Sequence, residues 1–129
     1  MLKGIIFDMD GTLTLTEHLH YEAYRRVFAE HGVTYTWEEE RTLYASAGGR
    51  YTFTTVLGQH GVQADIDACI AEKERVYLDI LSYTKVELVP GILPFLEFLV
   101  QKGIRRVIAS TTRSDIIAVT IERAGLTKF

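Results

Sequence analysis

The residues with the clearest capacity for chemistry lie within the first thirteen positions, in the run Asp8-Met9-Asp10-Gly11-Thr12-Leu13. Asp8 and Asp10 are two apart, so in an extended chain their carboxylates project to the same side. Such a pair offers hard oxygen atoms to Mg²⁺ and an acid–base couple for group transfer. Gly11 lets the chain turn tightly beside them. Asp and Gly are also the ordinary material of turns, so the pair alone is equally a polar strand-to-loop junction. The run in front of it decides between the two. Gly4-Ile5-Ile6-Phe7 is short, β-branched and aromatic, the pattern of a strand buried on both faces. In open α/β sheets ligands bind beyond the carboxyl ends of the strands, which is where Asp8 and Asp10 stand.

A strand at that position needs a partner and helices to cover it. After the loop the apolar period changes to that of a helix over Glu17 to His31, carried by Leu19, Ala23, Val27 and Phe28, with Thr16 as N-cap and Gly32 as the stop. Thr36-Trp37-Glu38-Glu39 has the form of a capping box and predicts a second helix to about Ala47, ended by Gly48-Gly49. A third is expected over Thr52 to His60, and a fourth after Asp65 or Asp67, where apolar residues recur with a period near 3.6 up to Leu81. Pro90-Gly91 then marks a turn, Ile92 to Lys102 reads as a helix with Pro94 in its first turn, and Gly103 closes it. Val107-Ile108-Ala109 is the second buried strand, and Ser114-Asp115 opens a last helix ending near Gly125. The expected architecture is α/β: a parallel pair of strands joined through a right-handed helical crossover, with a helical bundle inserted after the first strand.

A chain of 129 residues is about one domain on a prior of roughly one per 100 to 200 residues. Its 14 basic and 17 acidic residues give a net charge of −3, with no basic excess to neutralise phosphates, so nucleic acid is not an expected partner. Hydrophobic residues at 47% and only 2 prolines fit a packed core. Cys69 is the sole cysteine, which excludes an intrachain disulfide and a cysteine metal cage and points to a reducing setting. The first residues become charged too early for a signal peptide, and no apolar run of ~20 residues occurs, so neither secretion nor membrane insertion is expected and the cytoplasm is the default location.

With the strand and the full Asp8–Leu13 string in place, the sequence resembles the haloacid dehalogenase superfamily, in the phosphatase and β-phosphoglucomutase-like branch that carries a helical cap after the first strand. Val107-Ile108-Ala109-Ser110-Thr111-Thr112 looks like the second motif of that family, and Pro90-Gly91 falls where such proteins return from cap to core. The resemblance runs through essentially the whole chain. It implies a Rossmannoid core of residues 1–15 and 86–129, lacking its C-terminal part, and a cap of residues 16–85. It also implies the chemistry of a Mg²⁺-dependent phosphohydrolase acting on a small phosphorylated metabolite. Asp8 would be the nucleophile that becomes an aspartyl phosphate, and Asp10 the acid and then the base. The Asp8 carboxylate and the Asp10 backbone carbonyl would hold the metal. Gly11 and its neighbours would present backbone N–H groups, and Ser110 a hydroxyl, to the phosphoryl oxygens.

Four further positions stand open between two readings. Thr12 either orients Asp10 or is a turn threonine, and Arg113 either meets phosphate or sits at a solvated helix start. His20 matches a hinge-proximal histidine of the mutase branch or is a packing histidine, and Arg50 either reaches a distal anionic group of the substrate or is a surface charge. His18 and His20 do not share a helix face, so a histidine metal site is not expected. Two departures qualify the resemblance. Leu15 stands where many capped members carry an acidic residue. The downstream lysine and acids that complete the family's site are not found, since Lys128 follows the last expected helix too closely. The competing readings are therefore a phosphosugar mutase of the same family, or a catalytically inactive N-terminal fragment or assembly module. Self-association or a complementing C-terminal polypeptide is the route by which the strand pair would be completed.

Overall fold

The computed structural model describes residues 1–129 and divides the chain into two compact units, Met1–Glu17 with Thr84–Phe129, and His18–Tyr83. The first unit holds two strands, β1 (Gly4–Phe7) and β2 (Arg105–Ile108), paired in parallel with Gly4 opposite Arg105 and Phe7 opposite Ile108. Between them in sequence run α1 (Glu17–Glu30), α2 (Trp37–Glu39), a π-helical turn Glu40–Tyr44, α3 (Gly49–Gln59), α4 (Ile66–Tyr83) and α5 (Ile92–Gln101); α6 (Ser114–Arg123) follows β2. This is the α/β class expected from the two apolar runs. No helix is long and apolar enough to cross a membrane.

The core of the first unit forms on one face of the strand pair. Phe7 gathers with Leu13, Ile92, Leu96, Leu99 and Leu126, and Ile5, Ile108 and Ile121 pack against that cluster. Gly103 sets the step from α5 into β2. Its φ of 64° is a left-handed conformation that suits glycine, and it lets the Ile104 amide fold back onto the Leu99 carbonyl at 3.0 Å.

The second unit is built around rings. Phe28 packs on Phe53 and Tyr35 with centroids 4.9 and 4.7 Å apart, and Tyr24 and Tyr44 close the group. Val27, Val56, Leu57, Tyr77, Ile80 and Leu81 fill the rest of its interior.

Two boundaries differ from the expected ones. The capping box at Thr36 and Glu39 forms, with both reciprocal bonds in place, yet the α-helix it opens lasts three residues before it widens into the π-helical turn. The turn carries Glu40, whose buried carboxylate accepts the Tyr35 phenol proton, and Ser46 at φ 63° ends the segment. Gly48-Gly49 therefore begins α3 rather than closing a helix before it: the Thr52 amide and hydroxyl both bond the Gly48 carbonyl, at 3.1 and 3.0 Å.

Candidate active site

β1 ends at Phe7, and the chain that leaves it folds around a single atom. The carbonyl of buried Met9 accepts the amides of Thr12, Leu13 and Thr14 at 3.1, 2.9 and 3.2 Å, while the Gly11 amide bonds the Thr14 carbonyl at 2.7 Å. Gly11 sits at φ 78°, and a β-carbon built there would lie 2.5 Å from the Glu17 carboxylate. The backbone therefore favours glycine at this point, and a side chain there would also have to displace the end of the Glu17 side chain. The returning strand segment is fastened by the Leu15 amide on Glu87 and the Val89 amide on Leu13, at 2.8 and 3.0 Å.

The two carboxylates of this loop differ in their surroundings. Asp8 is exposed, directly beyond the strand, and its carboxylate makes no hydrogen bond or ion pair. Asp10 is half-buried and held by hydroxyl groups. The Thr16 hydroxyl donates to its Oδ1, and the Thr112 hydroxyl approaches its Oδ2 at 3.5 Å. Thr14 and Thr16, both fully buried, have their hydroxyl oxygens 2.9 Å apart. With the Thr16 proton on Asp10, the single Thr14 proton is shared between the Thr16 hydroxyl and the Met9 carbonyl, which lies 3.4 Å from the Thr14 hydroxyl oxygen.

β2 brings the second loop to the same end of the sheet. The Ala109 amide bonds the Phe7 carbonyl at 2.8 Å, extending the ladder one residue past β2. Ser110 follows, half-buried, with its Oγ accepting the Thr112 amide at 3.1 Å. This turn carries the Thr112 hydroxyl to Asp10, across 102 positions of sequence. Thr12 is exposed; the hydroxyls at Asp10 are those of Thr16 and Thr112. Arg113 precedes α6 and grips Asp115 in a two-pronged pair at 2.5 and 2.8 Å, which holds the Asp115 carboxyl below its usual range. Thus Asp8, Asp10, Gly11, Thr12 and Ser110 share the carboxyl end of the strand pair, with Arg113 on the loop behind Ser110.

His20 and Arg50 belong to the second unit. The His20 ring stacks on Tyr77 with centroids 3.9 Å apart, and its Nδ1 lies 2.7 Å from the Lys73 ammonium. Lys73 is itself 4.6 Å from the centre of the Tyr24 ring, and burial, followed by the charge of Glu40, raises the Tyr24 pKa. Arg50 pairs with Asp67, both of them exposed. An open cleft of about 530 Å³ in this unit is lined by Tyr21, Arg25, Tyr35, Thr36 and Trp37 among others, and by none of the residues expected to act on substrate.

Thr16 and Thr112 are the site residues that sequence reasoning missed. Thr16 reads as a helix cap and Thr112 as part of a Ser/Thr-rich loop. Their hydroxyls meet Asp10 only once both loops are folded. The available signal was the spacing of Thr14 and Thr16, two apart after the turn, which lets their hydroxyls share one buried side.

The donor set suits Mg²⁺ in kind. No group of three or more His, Cys, Asp or Glu side chains is placed to hold a metal, but Asp8 has a free hard-oxygen carboxylate with the Asp10 carbonyl two residues on. Mg²⁺ keeps several waters and binds through one or two carboxylates plus a substrate phosphate, so a sparse oxygen site is compatible with it. The Asp10 carboxylate, engaged by hydroxyls, is left for proton transfer.

Residues 2–129 match the family model of the haloacid dehalogenase-like hydrolases. Protein CbbY of Rhodobacter capsulatus is 34% identical over 124 residues, which cover 92% of this chain and 55% of that protein. A phosphorylated carbohydrates phosphatase of Thermotoga maritima is 29% identical over 132 residues, 99% of this chain and 58% of that one. The crystal structure of a CbbY mutant from Rhodobacter sphaeroides in complex with xylulose-(1,5)bisphosphate superposes with a TM-score of 0.82 at 26% identity, over 97% of this chain and 58% of that one. The chain spans about half the length of the curated relatives it matches.

Proposed function

Because the chain belongs to the haloacid dehalogenase-like hydrolases, we propose that its Asp8–Asp10 pair serves a Mg²⁺-dependent phosphohydrolase that acts on a small phosphorylated sugar through an aspartyl-phosphate intermediate. The observation that carries the reading is the contrast between the two carboxylates: Asp8 bare and exposed, Asp10 half-buried and aimed by Thr16. The substrate class follows the names of the relatives, a phosphatase of phosphorylated carbohydrates and a protein crystallised with a sugar bisphosphate.

In this mechanism a carboxylate oxygen of Asp8 attacks phosphorus as the bond to the sugar oxygen breaks, and Asp10 gives its proton to the departing alkoxide. Asp10 then takes a proton from water, the resulting hydroxide attacks the phosphoryl group, and phosphate leaves with the Asp8 carboxylate restored. The Ser110 hydroxyl binds a phosphoryl oxygen, where one well-placed donor is worth about 3 to 4 kcal/mol; the amides from Gly11 to Thr14 already donate within the turn and would contribute only after leaving it. The Asp8 carboxylate and the Asp10 carbonyl would hold Mg²⁺, whose charge would offset the repulsion between two anions. Residues 16–85 act as the cap that selects the substrate, with Arg50 exchanging Asp67 for a distal anionic group. Arg113 has its guanidinium on Asp115 and would contribute only after leaving it.

The test is phosphate release from an aryl phosphate and from sugar phosphates, with and without Mg²⁺. Turnover that requires Mg²⁺ and disappears in Asp8→Asn is the expected result. Equal background in both proteins would remove catalysis by this chain and leave the inert-module reading standing. Transfer of phosphate to a second sugar phosphate in preference to water would identify the mutase.

A further inference from the structure

Asp10 is held by a run of hydroxyls that begins further back than Thr16. Thr14 and Thr16 are both fully buried with their hydroxyl oxygens 2.9 Å apart, and Thr16 donates in turn to Asp10 Oδ1. An ionised carboxylate and a main-chain carbonyl only accept, whereas a hydroxyl carries one proton. The direction along the run is therefore fixed from its acceptor end. The Thr16 proton lies on Asp10, so within this pair the Thr16 oxygen accepts and Thr14 gives.

Two acceptors compete for the Thr14 proton. The Met9 carbonyl, 3.4 Å away, already takes the amides of Thr12, Leu13 and Thr14. A carbonyl has two lone pairs, so three amides leave it little to offer a fourth donor. The Thr16 oxygen is nearer, and the larger share of the proton falls to it. The main chain holds Thr14 in place for this contact. Its amide bonds the Met9 carbonyl at 3.2 Å, its carbonyl accepts the Gly11 amide at 2.7 Å, and it forms an antiparallel bridge with Leu88. A β-branched side chain on a backbone so held has few χ1 choices.

We propose that Thr14 is a positioning residue for Asp10: its hydroxyl donates to the Thr16 oxygen, which commits the Thr16 proton to Asp10 Oδ1 and fixes how that carboxylate is turned. Donation into a hydroxyl strengthens the bond that the hydroxyl itself donates, so the effect of Thr14 travels through Thr16. With Oδ1 occupied by Thr16, the proton that Asp10 gives and takes resides on Oδ2, the oxygen that the Thr112 hydroxyl approaches at 3.5 Å. That consequence rests on the phosphohydrolase reading; the run of hydroxyls does not.

The test is NMR of the 129-residue chain, labelled with ¹³C and ¹⁵N, without substrate or metal, so its failure is separate from failure of the phosphatase reading. The parent should show a slowly exchanging Thr16 hydroxyl proton, a nuclear Overhauser contact from the Thr14 hydroxyl proton to the Thr16 side chain, and the three-bond couplings of a single Asp10 χ1 rotamer. Thr14→Val removes the hydroxyl and keeps the branch. It should speed exchange of the Thr16 hydroxyl proton by about tenfold or more and average the Asp10 couplings over rotamers, while Thr14→Ser keeps the parent's values. Where the parent turns over a phosphate ester, kcat should fall by about tenfold or more in Thr14→Val at unchanged KM and recover in Thr14→Ser. A folded Thr14→Val with the parent's Thr16 proton and Asp10 rotamer overturns the proposal, as does a Thr14→Val kcat equal to that of an active parent. Should Thr14→Val fail to fold, the parent alone decides: a Thr14 hydroxyl proton turned to Met9 and away from Thr16 overturns it.

Discussion

Asp10 and Glu40 both accept a hydroxyl proton, one in each compact unit, and they do so for different ends. Asp10 is half-buried among small threonine hydroxyls, beside a carboxylate with no partner at all. Glu40 is enclosed by Tyr24, Tyr35 and Tyr44, and its charge adds to burial in raising the Tyr24 and Tyr35 pKa values. The same bond type therefore aims a reactive group in one place and locks a turn in the other. What separates them is access: Asp10 is only half-buried, whereas Glu40 is buried beside Tyr35.

The contrast breaks most visibly at Asp10. Asp10→Asn still offers an oxygen to Thr16 and should leave the thermal midpoint unchanged while lowering kcat by about 10² to 10⁴. Comparable rates for the two proteins would place Asp10 outside the chemistry. Glu40→Ala should behave in the opposite sense, costing about 1 to 3 kcal/mol in urea unfolding because the Tyr35 phenol loses its buried acceptor, with the rate per folded molecule unchanged. Tyr35→Phe combined with Glu40→Gln should recover part of that loss, which a double-mutant cycle measures.

Alkaline titration sharpens the comparison further. Burial first, and then the bond to Glu40, raise the Tyr35 pKa above its ordinary value of 10.0, and Tyr24 shifts the same way. A group whose pKa is raised by folding stabilises fully below its unfolded pKa and loses that contribution as pH climbs above it. Stability should accordingly fall above about pH 10, and fall less steeply in Tyr35→Phe, as melts at stepped pH would record.

The smallest effects belong to the surface of the helical unit. Hydrogen bonding to Arg25 is the main cause that lowers the Glu22 pKa from 4.5 to about 2. Its stabilising contribution is present above pH 4.5 and fades as pH drops toward 2, and 0.5 M salt should weaken it. Arg50→Ala, which removes an exposed pair with Asp67, should shift stability by less than about 0.5 kcal/mol. A larger loss would mean that the pair is structural.

The turn after β1 was legible because its signal is local: an apolar strand, two acids two apart and a glycine. Both strands and the end of α5 at Gly103 were legible for the same reason, being set by runs and punctuation within a few residues. Residues 37–44 were not. Their pattern is that of an ordinary helix, and the widening into a π-helical turn accompanies the burial of Glu40, which a charged residue in a sequence does not announce. Thr112 reaches Asp10 from 102 residues away, through a contact that depends on β2 ending level with β1. Long-range closure of this kind leaves no periodicity behind it.

The carbonyl of Met9, with three amides converging on it, makes the path of the Asp8–Leu13 loop a property of main-chain atoms. In a library randomised over residues 11 and 12, position 12 should accept most side chains, while position 11 should return glycine foremost, followed by asparagine. A loop specified in that way is transferable. Grafted after the last residue of another parallel strand, with its glycine, its buried methionine and the threonine that bonds Asp10, it should keep the same main-chain turn.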